Sequence, residues 1–490
     1  MTPYLLVVDN PDRWPLAVPG VTVVGARTYL TESRYGSPRT YKVINMCRSY
    51  RYQSVGYYVS LLGEARGHRP IPATATIQDL KTLSIIRSVS EDLNELIQHA
   101  LSHLQGTTFT LSIYFARNMA KRYDRLAREL YSLFPAPLLR AYFVKDEDGW
   151  AIQNISPIPT SEVPESHRAS IVQFATEYFE ETPHAKRRKN ARFSLAMLVD
   201  PEDKTPPSNE KALKNFEKAA EELDMSLHRI TKDDYDQLLE YDGLFIRATT
   251  AVNDFTYRFS RRAHTEGMVV IDDPDSILQC TNKVFLAELL DRHRIPTPKT
   301  VVLHRDNVDE TLKKLGLPII LKQPDSSSSL GVVKAGSEKE FHEMTSNLLE
   351  KSDLLIAQEF LPTEFDWRIG ILDGQPLYAC KYYMAPRHWQ IYNHEKDGDF
   401  NLAVGDSETM PVELAPRKVV RTALKAAELI GDGLYGVDLK VIGDEVKIIE
   451  INDNPSIDCG IEDEVLRKQI YHRIMHTFLT RLEHQRLYRA

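Results

Sequence analysis

Short runs of β-branched and aliphatic residues alternate with amphipathic stretches along almost the whole chain. YLLVVD (4–9) and VTVVGA (21–26) read as two strands parted by a proline-rich turn. SVGYYVSLLGEARGH (54–68) carries an apolar stripe at Val55, Val59, Leu62 and Ala65, with Gly67 where a helix would end. SEDLNELIQHALSHL (90–104) predicts a second helix opening on a serine cap, and TFTLSIYFA (108–116) a strand. Beyond residue 190 strands and helices alternate: FSLAMLV (193–199), a helix over 209–223, SLHRI (226–230), GLFIRA (243–248), a helix over 254–266, and MVVID (268–272). That order predicts a small parallel βαβ domain ending near Cys280. Residues 281–490 read as two further α+β lobes. No internal repeat and no low-complexity tract is evident.

The first seam falls at HAKRRKN (184–190). Its four consecutive basic residues read as a nucleic-acid patch or a solvated linker, and the flanks, which are not basic, favour the linker. The chain thus divides into an α+β domain over 1–183, a βαβ domain over 190–280 and two lobes over 281–490. Composition narrows the function classes. With 490 residues, 42% hydrophobic and 27% charged, this is ordinary globular chemistry in several domains. A net charge of -8 argues against bulk nucleic-acid binding. No apolar run is long enough to span a membrane and no signal peptide is evident, so a cytoplasmic location is expected. Cys47, Cys280, Cys380 and Cys459 are scattered without CxxC spacing, which predicts reduced thiols rather than a disulfide framework or zinc site.

The chemistry concentrates near the C-terminus. In KIIEINDNPSIDCGIED (447–463), Glu450 sits inside a buried-looking strand, where an unpaired carboxylate costs several kcal/mol. Glu450 and Asn452 share a strand face, roughly 7 Å apart. Asp438, on the preceding strand, joins them only if the register allows. A two-residue Gly443-Asp444 turn pairs Asp438 with Ile449; a three-residue loop, or a bulge, pairs it with Glu450. Oxygen donors without His or thiol suit a hard cation such as Mg²⁺, with a hydrogen-bonded acidic sheet edge as the alternative. Asp453 is expected on the opposite face, and Asp458, Glu462 and Asp463 in a solvated loop and helix start.

Upstream, GLPIILKQPDSSSSLGVVKA (316–335) is a strand ending in Lys322, then a polar loop able to fold over a polyphosphate, without the order of a P-loop. In SDLLIAQEFLPTEFDWRIGILDG (352–374) a strand closes on Gln358-Glu359, and Asp366 and Arg368 open the next one. Either a nucleotide edge or a surface ion pair fits that segment taken alone.

The order of these parts resembles the ATP-grasp superfamily, and most closely its RimK-like amino-acid ligases, a likeness extended by LQCTNKVFLAELLDRHRIPTPKTVVL (278–303). The resemblance implies two α+β lobes sandwiching ATP, preceded by a small βαβ domain. It assigns Lys283 and Lys322 to the nucleotide, with Ser327 and Ser328 in the phosphate-covering loop. Gln358, Glu359, Phe360 and Leu361 take the adenine hinge and Asp366 the ribose, with Glu364 as a competitor. Asp438, Glu450 and Asn452 take Mg²⁺, for which Mn²⁺ can substitute. Arg368 and Lys381 take the place of catalytic cations facing the γ-phosphate and acyl substrate. GDFNL (398–402) has Asn401 where the family segment has Arg, and Arg247 takes a substrate-facing place. The implied reaction is carboxylate–amine ligation through an acyl phosphate, with kinase-type phosphotransfer or a non-catalytic nucleotide-binding module as the alternatives. Amino acid or peptide substrates follow, the amine belonging to a free amino acid, a peptide or a protein terminus. Homo-oligomerisation is a family expectation without support in this sequence. Residues 1–183 resemble a domain fused to some RimK-like chains, in which Arg48, Tyr50, Arg51 and Tyr52 offer an anion or peptide site, or plain surface packing.

Overall fold

The structure is a computed structural model describing residues 4–16, 18–35, 41–147, 149–181, 191–325, 331–386, 388–391 and 405–489. Ser327, Ser328, Asn401 and the basic run 184–190 lie outside the described residues. The chain packs as two units. Met1–Lys189, Tyr235–Glu240 and Glu483–Ala490 form one, Asn190–Asp234 and Tyr241–Leu482 the other.

In the first unit, β1 (Tyr4–Val8), β2 (Thr22–Gly25), β3 (Lys42–Asn45) and β4 (Arg69–Ile71) make a parallel sheet of order β2-β1-β3-β4. Helix α1 (Val55–Ala65) lies between β3 and β4, capped by the Ser54 hydroxyl. Its buried residues are Gly56, Val59, Ser60 and Gly63, while Val55 is exposed, so the stripe is turned from the one expected. The reason is close packing. A Cβ on Gly56 would meet Ser49 O at 2.4 Å, so the smallest residues set the contact face. The single helix expected over 90–104 is instead a pair, Leu83–Asp92 and Asn94–Leu101, broken at Leu93. The unit also holds an antiparallel sheet of β5 (Thr108–Tyr114), β6 (Leu138–Asp146) and β7 (Gly149–Pro157), then helix α2 (Arg168–Glu181).

The second unit opens on another parallel sheet: β8 (Phe193–Leu198), α3 (Glu210–Glu222), β9 (Met225–Ile230), β10 (Gly243–Ile246), α4 (Phe255–Thr265) and β11 (Val269–Ile271). Its strand order, β9-β8-β10-β11, repeats that of the first sheet. The match extends to detail. Ser60 Oγ donates to Pro72 O at 2.7 Å, and Ser260 Oγ to Asp272 O at 2.7 Å, two hundred positions later. Gly67 and Gly267 end α1 and α4 at φ 69° and 67°. The fold is therefore duplicated, which the sequence hid: sheet order and backbone closure repeat, while side-chain identity has largely changed.

Helix α5 (Lys283–Arg292) leads into a four-stranded antiparallel sheet. Its strands are β12 (Thr300–Leu303), β13 (Ile319–Lys322), β14 (Val332–Ala335) and β15 (Leu355–Glu359), with helices α6 (Val308–Leu315) and α7 (Glu338–Leu349) between them. Ile319, Leu321 and Ala357 bury against Phe341 and Leu349. Strand alternation sends Ile320, Lys322 and Gln358 to the other face. The last sheet has the order β18-β17-β16-β19-β20. It comprises β16 (Phe365–Leu372), β17 (Gln375–Tyr383), β18 (Ser407–Met410), β19 (Leu434–Ile442) and β20 (Glu445–Asn452), with α8 (Arg417–Ala427) packed on it. Trp367, Ile369, Val437, Leu439, Ile448 and Ile451 form the face under α8.

Candidate active site

The register of β19 and β20 decides whether the acids meet. The turn is the two-residue one: Ile442 pairs with Glu445, Val441 with Val446 and Leu439 with Ile448. A bulge then skips Ile449, so Asp438 pairs with Glu450 and Gly436 with Asn452. Asp438 also pairs with Arg368 across β16. Asp438, Glu450 and Asn452 thus share one face of the sheet with Asp366 and Arg368, opposite the apolar face under α8. All five line one cleft with Lys283, Lys322, Gln358, Phe360 and Leu361.

Within the cleft the charges are paired. Arg368 Nε and Nη2 donate to the two oxygens of Asp438, each at 2.7 Å. Asn452 Nδ2 donates to Asp438 Oδ2 at 3.2 Å. Glu450 meets Lys283 Nζ at 3.0 Å, which answers what balances its charge in this structure. Burial raises the Glu450 carboxyl, but Lys283, Lys322 and Arg368 outweigh it and hold the group below its ordinary value. Burial pulls Lys322 down to about 8, against the opposing charge of Glu450. Asp366 accepts from Lys440 Nζ at 2.6 Å and from the Thr363 hydroxyl at 3.0 Å. Glu359 lines the cleft while accepting from Lys299 N–H at 2.9 Å and Lys447 Nζ at 3.0 Å. Gln358 donates to the Thr300 hydroxyl at 3.0 Å.

Four residues are placed otherwise than expected. Lys381 pairs in register with Trp367, so it projects from the face opposite Arg368. Its ammonium meets Glu408 at 2.9 Å and lies 5.5 Å from the Trp367 ring centroid, away from the cleft. Arg247 is 1% exposed and faces no open space. It donates to Pro207 O, to the Ser208 hydroxyl, to Asn454 Oδ1 at 2.7 Å and to Pro455 O at 3.0 Å. Glu462 and Asp463, expected in solvent, are buried, Glu462 accepting from the Tyr382 hydroxyl and Asp463 from Tyr471 at 2.8 Å. Asp453 is likewise buried.

Burial lifts Glu462 to about 7. A carboxyl raised in the folded state contributes fully at acid pH and loses that contribution as pH climbs from its unfolded value toward 7. Glu462→Gln should therefore gain in melting temperature relative to the parent protein between pH 5 and pH 8. Calorimetry at both values checks this, and a pH-independent difference rejects it.

The cleft also holds residues the sequence did not single out. Lys440 sits two positions after Asp438, and that spacing on a strand would have placed it on the same face. Ile449 enters the cleft through the bulge, for which no sequence signal exists. Trp389 and Phe360 flank the Lys334 ammonium, at 5.3 and 4.7 Å from its nitrogen. Among the described residues no three His, Cys, Asp or Glu side chains cluster as a ready metal site. Asp438, Glu450 and the Asn452 amide are an all-oxygen set, which fits a hard cation.

Comparison with known proteins fits this geometry. The model of the RimK-like ATP-grasp domain matches residues 280–467, the span that holds the cleft, and that of the RimK-like ATP-grasp N-terminal domain matches 26–174. The chain thus carries a RimK-like ATP-grasp domain preceded by a RimK-like ATP-grasp N-terminal domain. Over 181 residues it is 29% identical to the alpha-aminoadipate–LysW ligase LysX of Saccharolobus solfataricus, covering 35% of this chain and 61% of that protein, less than two thirds of its length. It is 25% identical over 232 residues to a probable alpha-L-glutamate ligase of Thioalkalivibrio sulfidiphilus, covering 46% and 72%. The D-alanine–D-alanine ligase of Bacillus anthracis is similar in structure at 15% identity and a TM-score of 0.46, covering 61% of this chain and 100% of that one. Among the described residues no helix is long and apolar enough to cross a membrane. The cysteines are free, three of them buried.

Proposed function

We propose that this chain is an ATP-dependent carboxylate–amine ligase. The observation that carries this reading is the cleft itself, which Lys283 and Lys322 line together with Arg368, Asp438, Glu450, Asn452 and the hinge residues Gln358 to Leu361. A substrate carboxylate attacks the γ-phosphorus of ATP, breaking its bond to the bridging oxygen and leaving ADP and an acyl phosphate. An amine then attacks the acyl carbon, phosphate leaves, and the nitrogen loses a proton to give the amide. Such chemistry needs positioning and charge neutralisation rather than a protein nucleophile. Lys283 and Lys322 hold phosphate charge, and Arg368 stabilises the transferring group and the later oxyanion. Gln358 through Leu361 form the adenine edge and Asp366 takes the ribose hydroxyls. Asp438, Glu450 and Asn452 would hold Mg²⁺, which when bound neutralises phosphate charge.

In this reading residues 281–490 carry the nucleotide and the chemistry, and 190–280 form the small domain that precedes them. Residues 1–183 stand as a separate domain. The relatives named for alpha-aminoadipate and L-glutamate point to dicarboxylic amino acids as the first substrates to try. The test pairs such acids with amino acids and short peptides. ADP and phosphate should be released only when acid and amine are both present, and hydroxylamine should trap the acyl phosphate as a hydroxamate. ADP release with transfer of phosphate to a non-acyl acceptor, and no hydroxamate, would overturn the ligase in favour of a kinase-type enzyme.

A further inference from the structure

The duplicated fold has two equivalent crevices, one at the C-terminal ends of β1 and β3, the other at those of β8 and β10. In each sheet the strand order reverses direction there, the place where parallel α/β sheets receive ligands. Met46 and Arg247 are the equivalent residues: Met46 N–H donates to Val7 O at 2.8 Å, and Arg247 N–H to Leu198 O at 2.8 Å. Arg247 fills the second crevice, drawing Pro207, Ser208, Asn454 and Pro455 onto its guanidinium. Met46 does nothing of the kind, and the first crevice is open, with a volume of about 320 Å³. That is within the range of small-molecule sites.

The walls of the open crevice are unlike those of a passive surface groove. Arg48 and Arg168 both line it, as do Asp9, Asn10 and Trp14. Trp14 Nε1 and Arg168 Nε are buried nitrogens without a hydrogen-bond partner among the described residues. Buried donors of this kind are ordinarily satisfied, and leaving one bare costs about 1–3 kcal/mol. Arg168 Nη1 has a 3.6 Å ion pair with Glu165, which is itself 89% exposed and so a weak competitor. The Arg48 guanidinium meets no carboxylate among the described residues; only its backbone N–H is engaged, on Asp9 Oδ2 at 2.8 Å. Two arginines, Arg48 and Arg168, line a space with an apolar side formed by Met46 and Trp14 and one acid, Asp9. The guanidinium groups call for an anion. Asp9 disfavours a phosphate dianion and offers an oxygen to an ammonium. We propose that this crevice binds an amino acid or short peptide, its carboxylate on Arg48 and Arg168, its amine toward Asp9 and its side chain against Trp14 and Met46. The binding is independent of the ligase chemistry, so failure of one leaves the other standing.

Fluorine NMR of the full chain labelled with 5-fluorotryptophan tests this, with Trp14→Phe assigning the Trp14 signal among the four tryptophans. The probes are L-glutamate, L-lysine, L-alanine, the dipeptide Ala-Ala, the C-terminal amide of each, and inorganic phosphate. At least one carboxylate probe should shift the Trp14 signal saturably, and its amide should bind at least about tenfold more weakly. The double variant Arg48→Gln/Arg168→Gln should lose about tenfold or more in affinity with its melting temperature preserved. Arg368→Ala should bind as the parent does. A Trp14 signal that no carboxylate probe shifts, a shift by phosphate alone, or unaltered affinity in the double variant would each overturn the proposal.

Discussion

Arg368→Ala should lower turnover about 10²–10³-fold, the usual cost of removing one charge-stabilising donor from a site of this kind. The loss should fall on kcat more than on the KM for ATP, because the guanidinium is assigned to charge that develops during transfer. The structure adds a second effect. Arg368 is the bidentate partner of Asp438, and both side chains are mostly buried, at 16% and 14% exposure. Removing the cation strands the carboxylate, so the single variant should also melt below the parent. Arg368→Ala/Asp438→Asn, with neither charge, should melt above Arg368→Ala while staying inactive. Steady-state kinetics with calorimetry on the three proteins separates the two effects, and an unchanged turnover in Arg368→Ala rejects the catalytic assignment.

The largest stability loss is expected at Arg247→Ala, a residue outside the cleft lining. Burial lowers this guanidinium to about 10, so it stays charged at neutral pH. It binds the backbone carbonyls of Pro207 and Pro455 and the side chains of Ser208 and Asn454. Alanine leaves these acceptors buried without their donor and opens a cavity, which together cost about 3–5 kcal/mol. In a unit this large each kcal/mol moves the melting temperature by roughly 2–4 °C. A fall of that combined size is expected by calorimetry, and a melting temperature unchanged from the parent rejects the clamp. Asn454 and Pro455 lie two and three positions after Asn452, so the same variant loosens the chain segment that carries a cleft residue.

Much of this was legible in the sequence, for a physical reason in each case. The strands of the second unit announced themselves because β8, β10, β13 and β15 are nearly continuous apolar runs. Such runs have few alternatives to a buried strand. The β16 pair Asp366 and Arg368 was legible as one face because strand periodicity is fixed at two. Lys381 was assigned to the cleft by resemblance alone, and the sequence carried no sign of its side, which depends on the β16 residue it pairs with, a tertiary fact. The bulge at Ile449 was one of two stated ways for Asp438 to reach Glu450, and the apolar run around it carried no mark of which one held. The buried acids Glu462 and Asp463 read as solvent-facing because their partners, Tyr382 and Tyr471, are distant or unmarked in sequence. The duplication was illegible for a further reason: what repeats is a Ser-to-carbonyl bond and a chain reversal, and neither demands a particular neighbouring side chain.

The paired charges of the cleft turn nucleotide binding, in the proposed function, into an ion exchange. Lys283, Arg368 and Lys440 each hold a carboxylate of the protein, on Glu450, Asp438 and Asp366. A polyphosphate cannot claim these cations without displacing their present counterions, and each displaced carboxylate then needs a new positive neighbour. The trade stays neutral when a hard cation arrives with the phosphates. Because one set of contacts replaces another, affinity should vary with added salt far less than it would for a bare basic groove.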